Sequence, residues 1–193
     1  MKRNNMALAI TVPILVLIDQ AIKIVISRRF FDHGFSIIGD YVLFRPKHNT
    51  DLSWINSWLG LGVGFIPHVL FNVILIVLAV FIYRYSNTRR RISRTAALAF
   101  ILFFAAAFCS LIDKVFWPGS LDYIYLKDLF TFDLKDVYAT VCEALLIILV
   151  IRTNSKRPEL LEYKAIKHTV KDFFKYVRDD IVRSKKSGER KTA

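Results

Sequence analysis

Cysteine, methionine and glycine are scarce in this chain, with two, two and seven copies among 193 residues. The two cysteines, Cys109 and Cys142, lie inside apolar runs, which excludes a disulfide framework and a zinc site of the Cys/His type. Acidic side chains are also few, 16 against 28 Lys and Arg. No nucleophilic Ser or Cys motif and no phosphate-binding loop occurs. Carboxylates are therefore the simplest catalytic groups that the chain offers.

Apolar side chains and positive charge are what the chain has in quantity. Hydrophobic residues make up 54% of it, and the formal net charge is +12. This combination is typical of a small multi-spanning membrane protein, with apolar spans and basic cytoplasmic loops. Many of the 16 Phe and 3 Trp lie near the ends of apolar runs, as expected for the interfacial belts of such proteins.

Four segments are long and apolar enough to cross a bilayer, whose hydrocarbon core takes about 20 helical residues. They are residues 6–27, 63–83, 95–112 and 137–151. The first is expected to be a retained span, because no small-residue cleavage site follows it. With four spans, the basic clusters before span one, between spans two and three and after span four all fall on one side, which is then cytoplasmic. Both termini are expected on that side.

The outer side then receives the connections 28–62 and 113–136. We predict an all-α membrane protein: a four-helix transmembrane bundle with a small β-like or loop cradle on its outer face. The second connection and its edges are rich in aspartate. Asp113 ends span three, Asp136 begins span four, and Asp122 lies between them. In span one, Asp19 and Lys23 share a helix face in the outer half, where unpaired charges cost several kcal/mol.

Several interpretations of these charged residues are open. Asp19 and Lys23 form either an intrahelical pair that ties helices together or part of a site. Asp122 and Asp136 are expected to share one proton, as an acid–base pair that hydrolyses a peptide bond through water. Glu143, two turns deeper than Asp136, is either a protonated bundle residue or an extra acid. Asp128 and Asp133 are expected to be solvated loop carboxylates.

Four short motifs in order resemble one family, the bacterial lipoprotein signal peptidases (type II signal peptidases), over residues 8–151. "LIDQAIK" resembles the motif of the family's first span, and "HNTDLSW" its outer-loop motif, which places Asn49 in the site. "SLIDK" resembles the end of its third span, and nine residues further on lies Asp122 in "SLDYI". "FDLKDVYATV" is similar to the motif that holds the family's second catalytic aspartate, here Asp136.

The resemblance implies an intramembrane aspartyl endopeptidase that cuts diacylglyceryl-modified prolipoproteins before the lipidated Cys. Asp122 and Asp136 would be catalytic, with no metal and no cofactor. The protein is expected to be a monomer in the bacterial cytoplasmic (inner) membrane, with lipid and membrane-embedded prolipoproteins as partners and its active site facing outward. Residues implied in substrate binding or in support of the site are Asp19, Lys23, Asn49, Asp113, Lys114, Ser110 and Asp133.

The chain departs from the family's pattern beside these residues. Cys109 and Ser110 replace Gly-Asn, Lys114 replaces Arg, Asp133 replaces Asn and Lys135 replaces Ala. Lys114 lacks the planar fork with which Arg grips a carboxylate. An alternative function is therefore a catalytically silent paralogue that binds lipidated peptides. A small transporter that uses Asp19, Lys23 and Glu143 is a third possibility.

The last 41 residues differ in composition from the spans. We expect a peptidase-like domain over residues 1–152 and a basic tail over residues 153–193. In the tail, Ile166, Val170, Phe173, Val177 and Ile181 recur every three or four positions. This pattern predicts a cytoplasmic amphipathic helix that lies on anionic lipid or docks on protein. Nucleic-acid binding is not expected, because lipid is the nearest polyanion.

Overall fold

The computed structural model describes residues 3–50, 60, 62–89, 92–117 and 119–192. This part of the chain forms five α-helices and one four-stranded sheet. The helices are α1 Arg3–Val25, α2 Phe65–Arg89, α3 Arg94–Phe116, α4 Leu134–Lys156 and α5 Tyr163–Thr192. A π-helical turn, Ile26–Phe30, continues α1, and a 3₁₀ turn, Pro158–Leu161, joins α4 to α5.

Among the described residues, three helices are long and apolar enough to span a membrane: residues 4–30, 65–89 and 94–116. They pack together through a small apolar core of Val12, Ala79, Ile101 and Phe104. Their outward faces carry exposed apolar side chains, including Leu17, which is 67% exposed. The predicted spans one to three are thus found. α4 occupies the position of the predicted fourth span, and its crossing of the bilayer stays a prediction.

The described helices are longer than the apolar runs that predicted them. Asp113 was expected to end span three, but α3 continues to Phe116, and the Trp117 N–H closes the helix on the Asp113 carbonyl at 3.1 Å. Hydropathy marks where a helix leaves lipid, whereas backbone hydrogen bonds decide where it ends. The side chain of Asp113 therefore projects from within α3, and the helix backbone fixes its orientation.

The predicted outer cradle is an antiparallel sheet of order β1-β2-β3-β4. Its strands are β1 Phe35–Ile38, β2 Val42–Asn49, β3 Ser120–Leu126 and β4 Phe130–Phe132. β2 and β3 come from the two different connections that were predicted to lie outside. An apolar cluster of Ile26, Leu121 and Tyr123 fixes the sheet on the end of α1. This contact brings both connections against span one.

α5 lies within the predicted tail and packs on the end of α2, and its place on the cytoplasmic side stays a prediction. The guanidinium of Arg84 lies 2.8 Å from the carboxylate of Asp180. The Tyr85 ring meets Phe173 and Tyr176 edge-on, with centroids 5.7 and 5.5 Å away. One face of α5 is therefore held by the protein.

Candidate active site

Asp122 is positioned by the pairing of β2 with β3. Asn49 lies opposite Ser120 in the register, and Ser120 shares a strand face with Asp122 two residues on. Asn49 Nδ2 donates to Asp122 Oδ2 at 3.0 Å, and Ser120 Oγ lies 2.9 Å from Asp122 Oδ1. Gly119 makes this pairing possible, because its φ is +95° and a Cβ there would overlap the Asn49 carbonyl.

Asp136 is positioned by the start of α4. Asp133 is the N-cap, and its Oδ1 accepts from the Asp136 N–H at 3.2 Å, while Asp136 Oδ2 accepts from the Asp133 N–H at 3.1 Å. This reciprocal capping box satisfies two helix-end donors and fixes both carboxylates. The second oxygen, Asp136 Oδ1, lies 3.9 Å from Lys135 Nζ.

The two predicted catalytic carboxylates lie close together. Asp122, Asp133 and Asp136 each present an oxygen within 4.8 Å of the others. Asp122 is buried, whereas the Asp136 side chain is 45% exposed. Water can thus reach the space between Asp122 and Asp136 from the side of Asp136.

Lys23 compensates three buried carboxylates at once. Its Nζ lies 3.0 Å from Asp19, 2.6 Å from Asp113 and 2.7 Å from Asp133, and its side chain is fully buried. Three ammonium protons thus serve three carboxylates from two other segments and its own helix. The intrahelical pair with Asp19 exists, but it is one contact of a larger network. The expectation that Asp133 is a solvated loop carboxylate is wrong, because Asp133 is 1% exposed.

Lys135 supplies a second ammonium in the same cluster. Its Nζ lies 2.6 Å from Asp133 Oδ2 and 2.6 Å from Ser120 Oγ. It also lies 3.5 Å from Asp122 and 3.9 Å from Asp136. A cation of the chain itself therefore occupies the space between the three carboxylates. Among the described residues, these three aspartates form the one acidic group close enough to share a metal ion, and Lys135 lies where that ion would sit.

The other predicted site residues lie beside this cluster. Lys114 Nζ contacts Ser110 Oγ at 2.6 Å, one helical turn away. Cys109 and Cys142 are free and buried. Asp128 is exposed in the turn between β3 and β4, as expected. Glu143 is exposed on α4, outside the buried cluster.

Burial and charge set the protonation of the carboxylates outside the spans. Burial raises the pKa of Asp122, against Lys135 and the hydrogen bonds from Asn49 and Ser120. Burial also raises the pKa of Asp136, which precedes the predicted span 137–151, to about 7, and the charge of Asp133 adds to the effect. Because much of the Asp136 side chain is exposed, water moderates this shift without changing its direction.

Asp133 shows the opposite behaviour. Burial by itself would raise the pKa of Asp133, but the ammonium groups of Lys135 and Lys23 outweigh it and hold that pKa below its usual value. Asp133 is thus a fixed negative charge, while Asp122 and Asp136 are the carboxylates able to hold a proton.

A family model described as signal peptidase (SPase) II matches residues 11–152. The chain belongs to the signal peptidase II family. That family is of the aspartic type and processes lipoprotein signal peptides. The match covers α1 to α4 and the sheet, and leaves α5 outside.

Solved structures agree with this fold. A bacterial membrane enzyme determined by the in meso method at 2.3 Å resolution has a TM-score of 0.63 and 20% identity, covering 78% of this chain and 91% of that one. Another bacterial membrane enzyme, determined by the same method at 1.9 Å, has a TM-score of 0.61 and 20% identity, with 75% and 92% covered. No curated protein matches the chain.

Sequence reasoning missed three parts of this signal peptidase II site. Ser120 had a signal in its spacing, since it lies two residues before Asp122 on a strand. Gln20 lies in the first-span motif, and its Nε2 donates to Asp113 Oδ1 at 3.1 Å, while its Oε1 accepts from Trp117 at 3.0 Å. Lys135 was noted as an added charge, but no sequence pattern indicates that its side chain points into the cluster.

Proposed function

We propose that this chain is an intramembrane aspartyl endopeptidase that removes signal peptides from diacylglyceryl-modified prolipoproteins, cutting before the lipidated Cys. The observation that carries the proposal is the Asp122–Asp136 pair, with oxygens within 4.8 Å, one carboxylate buried and the other reachable from solvent. Membership of an aspartic-type family supports the same assignment.

The pair acts on a water molecule held between its carboxylates. The ionised aspartate takes a proton from water while the water oxygen attacks the peptide carbonyl carbon, and the neutral aspartate donates its proton to the carbonyl oxygen. When the tetrahedral intermediate collapses, the C–N bond breaks. The proton taken from water passes to the leaving amine, and the hydroxyl proton returns to the second carboxylate. Both carboxylates end in their starting states.

An apolar groove beside the site suits the lipid part of such a substrate. Its volume is about 440 Å³, and it lies between α1, the π-helical turn and the sheet. Its lining is apolar, including Ile22, Ile26, Phe35 and Phe44. Ile22 directly precedes Lys23 on α1, and Ile26 begins the π-helical turn, so acyl chains in the groove would lie beside the segment that carries Lys23. The groove supports the choice of a lipid-modified substrate.

The proposed topology places α4 as a fourth span, both termini in the cytoplasm and the sheet outside a bacterial inner membrane. Residues 1–152 form the peptidase domain and residues 153–193 a cytoplasmic tail. The three candidate spans and the positive-inside pattern support this arrangement. A monomeric state remains part of the proposal.

A second candidate is a silent paralogue that binds lipidated peptides without cutting them. Lys135 favours it, because its ammonium lies 3.5 Å from Asp122 and 3.9 Å from Asp136, in the space that the attacking water must use. Cleavage and binding therefore have to be measured separately.

The decisive experiment incubates the purified chain in lipid with a diacylglyceryl-modified prolipoprotein. Wild type is compared with Asp122→Asn and Asp136→Asn, and with Asp128→Asn as a matched control. Asp128 is exposed and has a φ of 59°, which asparagine tolerates. Cleavage before the lipidated Cys by wild type and the control, lost in both dyad variants, supports the peptidase. Folded wild type that binds the substrate but leaves it intact supports the silent paralogue.

A further inference from the structure

The ammonium of Lys135 lies closer to Asp122 than to Asp136. It lies 3.5 Å from Asp122 Oδ1 directly. It also donates to Ser120 Oγ at 2.6 Å, which turns the single hydroxyl proton of Ser120 toward a carboxylate. The nearest carboxylate to that hydroxyl is Asp122, at 2.9 Å. Lys135 therefore stabilises a negative charge on Asp122 along two paths.

The two members of the pair differ in the donors that they receive. Asp122 accepts from the Asn49 amide and from Ser120, and the Lys135 ammonium lies 3.5 Å from it. Asp136 accepts from one backbone N–H, that of Asp133, and its contact with Lys135 is the longer one, at 3.9 Å. Hydrogen bonds to the charged form of a carboxyl group favour that form. The ionised state is thus better supported on Asp122.

Lys135 keeps its charge in this position. Burial would lower its pKa, but the surrounding carboxylates, Asp133 and Asp136 first among them, raise it well above its ordinary value. Charged groups face Lys135 from every element around it. They are Lys23 of α1, Asp113 and Lys114 of α3, Asp122 of β3, and Asp133 and Asp136 of α4.

We propose that Lys135 is a positioning residue that holds Asp122 as the ionised member of the pair and leaves the shared proton on Asp136. The inference rests on the proposed dyad but not on its turnover. Asp122 then takes the proton from water, and Asp136, on the exposed side where the peptide enters, donates to the carbonyl oxygen. The attacking water must replace Lys135 at one of its present contacts. Lys135 therefore also limits the space in which the water can approach the peptide carbonyl.

The first test needs no catalysis. Carboxyl carbons of aspartate, labelled with ¹³C, are titrated by NMR in the full-length wild type, with Asp122→Asn and Asp136→Asn used for assignment. The proposal requires Asp122 to titrate at lower pH than Asp136. The reverse order in wild type would overturn it, whatever the enzyme does to prolipoproteins.

The second test removes the cation. Lys135→Met and Lys135→Gln should move the Asp122 midpoint up by about 1 to 3 pH units, the range typical of losing an adjacent opposite charge. Lys135→Arg should leave it in place, and so should Lys127→Met, which removes an exposed lysine from the β3–β4 turn. Equal midpoints in Lys135→Met and Lys135→Arg would refute the role of the charge.

Cleavage assays then separate this inference from the proposed function. The acid limb of kcat/KM should move to higher pH by the same amount in Lys135→Gln, and return in Lys135→Arg. A purely structural role would lower the rate without moving the limb. If wild type cuts nothing while its carboxylates titrate in the predicted order, the peptidase proposal fails and the role of Lys135 stands.

A second inference rests on a separate observation, the exposed face of α5. Tyr163, Ile166, Val170, Phe174 and Ile181 recur three, four or seven residues apart and are each at least 45% exposed. The adjoining side of the helix contacts α2 through Phe173, Tyr176 and Asp180. A row of basic residues borders this apolar stripe: Lys164, Lys167, Lys171, Lys175 and Arg178.

We infer that this stripe inserts into the anionic lipid surface of the cytoplasmic leaflet, with α5 lying in the plane of the membrane. The contact with Arg84 and Tyr85 holds the helix at the end of a span, which is the level of the headgroups on the proposed topology. Apolar side chains can enter the acyl boundary there, while the bordering lysines reach the lipid phosphates.

The test places a fluorophore on Phe174→Cys in the full chain, since Cys109 and Cys142 are buried. In nanodiscs of neutral lipid with and without phosphatidylglycerol, iodide quenching is compared. Protection should be strong with phosphatidylglycerol and should weaken when Lys164, Lys167, Lys171 and Lys175 become Gln. Equal quenching in both lipids, or protection that depends on protein concentration and so indicates a second copy, would overturn the inference.

Discussion

Lys23→Met should be among the most destabilising single substitutions in this protein. The ammonium of Lys23 contacts Asp19, Asp113 and Asp133 within 3.0 Å, and its side chain is fully buried. Removing one partner of a buried ion pair costs about 3–5 kcal/mol, because a buried charge loses its compensation, and Lys135 compensates only part of this loss, at Asp133 and Asp113. At about 2–4 °C per kcal/mol for a chain of this size, Tm should fall by roughly 6–20 °C.

The pH dependence of this loss has a definite sign. The pKa of Asp133 is held below its usual value, so its contribution to stability is present at neutral pH and is lost as the pH falls through the folded-state pKa. Without Lys23, Asp133 takes up a proton more readily, which relieves part of the penalty. The difference in Tm between wild type and Lys23→Met should therefore shrink on acidification.

Thermal unfolding in detergent, followed by circular dichroism at several pH values, measures both effects. Lys127→Met, an exposed lysine, is the matched control and should unfold with wild type. Adding Asp113→Asn to Lys23→Met should restore part of the loss, because one uncompensated charge disappears. A Tm for Lys23→Met within about 2 °C of wild type at neutral pH would show that the cluster does not depend on this ammonium.

Three further predictions concern the pair itself. Asn49→Leu removes the hydrogen bond that the Asn49 amide donates to the Asp122 carboxylate at 3.0 Å, a bond worth about 1.5–3 kcal/mol. This change should lower kcat/KM about 10- to 100-fold, and an unchanged kcat/KM would exclude a role for this bond. Gly119→Ala places a side chain at a φ of +95° and against the Asn49 backbone, so it should lower both Tm and activity. A Tm and an activity equal to those of wild type would contradict the close pairing of β2 with β3. Because the pKa of Asp136 is raised to about 7 and its protonated form is the donor, the cleavage rate should fall as pH rises through neutrality, and a rate that rises throughout that range would reverse the assignment.

The sequence by itself determined the membrane class and the family, and it predicted several of the residues that lie together in the candidate site. Apolar runs of span length and basic clusters on one side of the predicted spans are properties of the local composition. Insertion into the bilayer and orientation across it depend on that composition and not on tertiary contacts. Short motifs indicated Asp122, Asp136, Asn49 and Lys23 for the same reason: each lies within a local pattern. The amphipathic tail followed from its three- and four-residue spacing.

Only the tertiary structure decided how these residues are connected. Lys23 and Asp113 are 90 positions apart and meet because α1 packs on α3. Asp133 looks like a solvated loop residue in sequence, yet it follows β4, caps α4, contacts two lysines and is buried. The direction of Lys135 depends on the first turn of α4 facing β3, a relation between elements that no periodicity contains. Local patterns select residues, whereas the charge balance between Asp122 and Asp136 depends on distances across the fold.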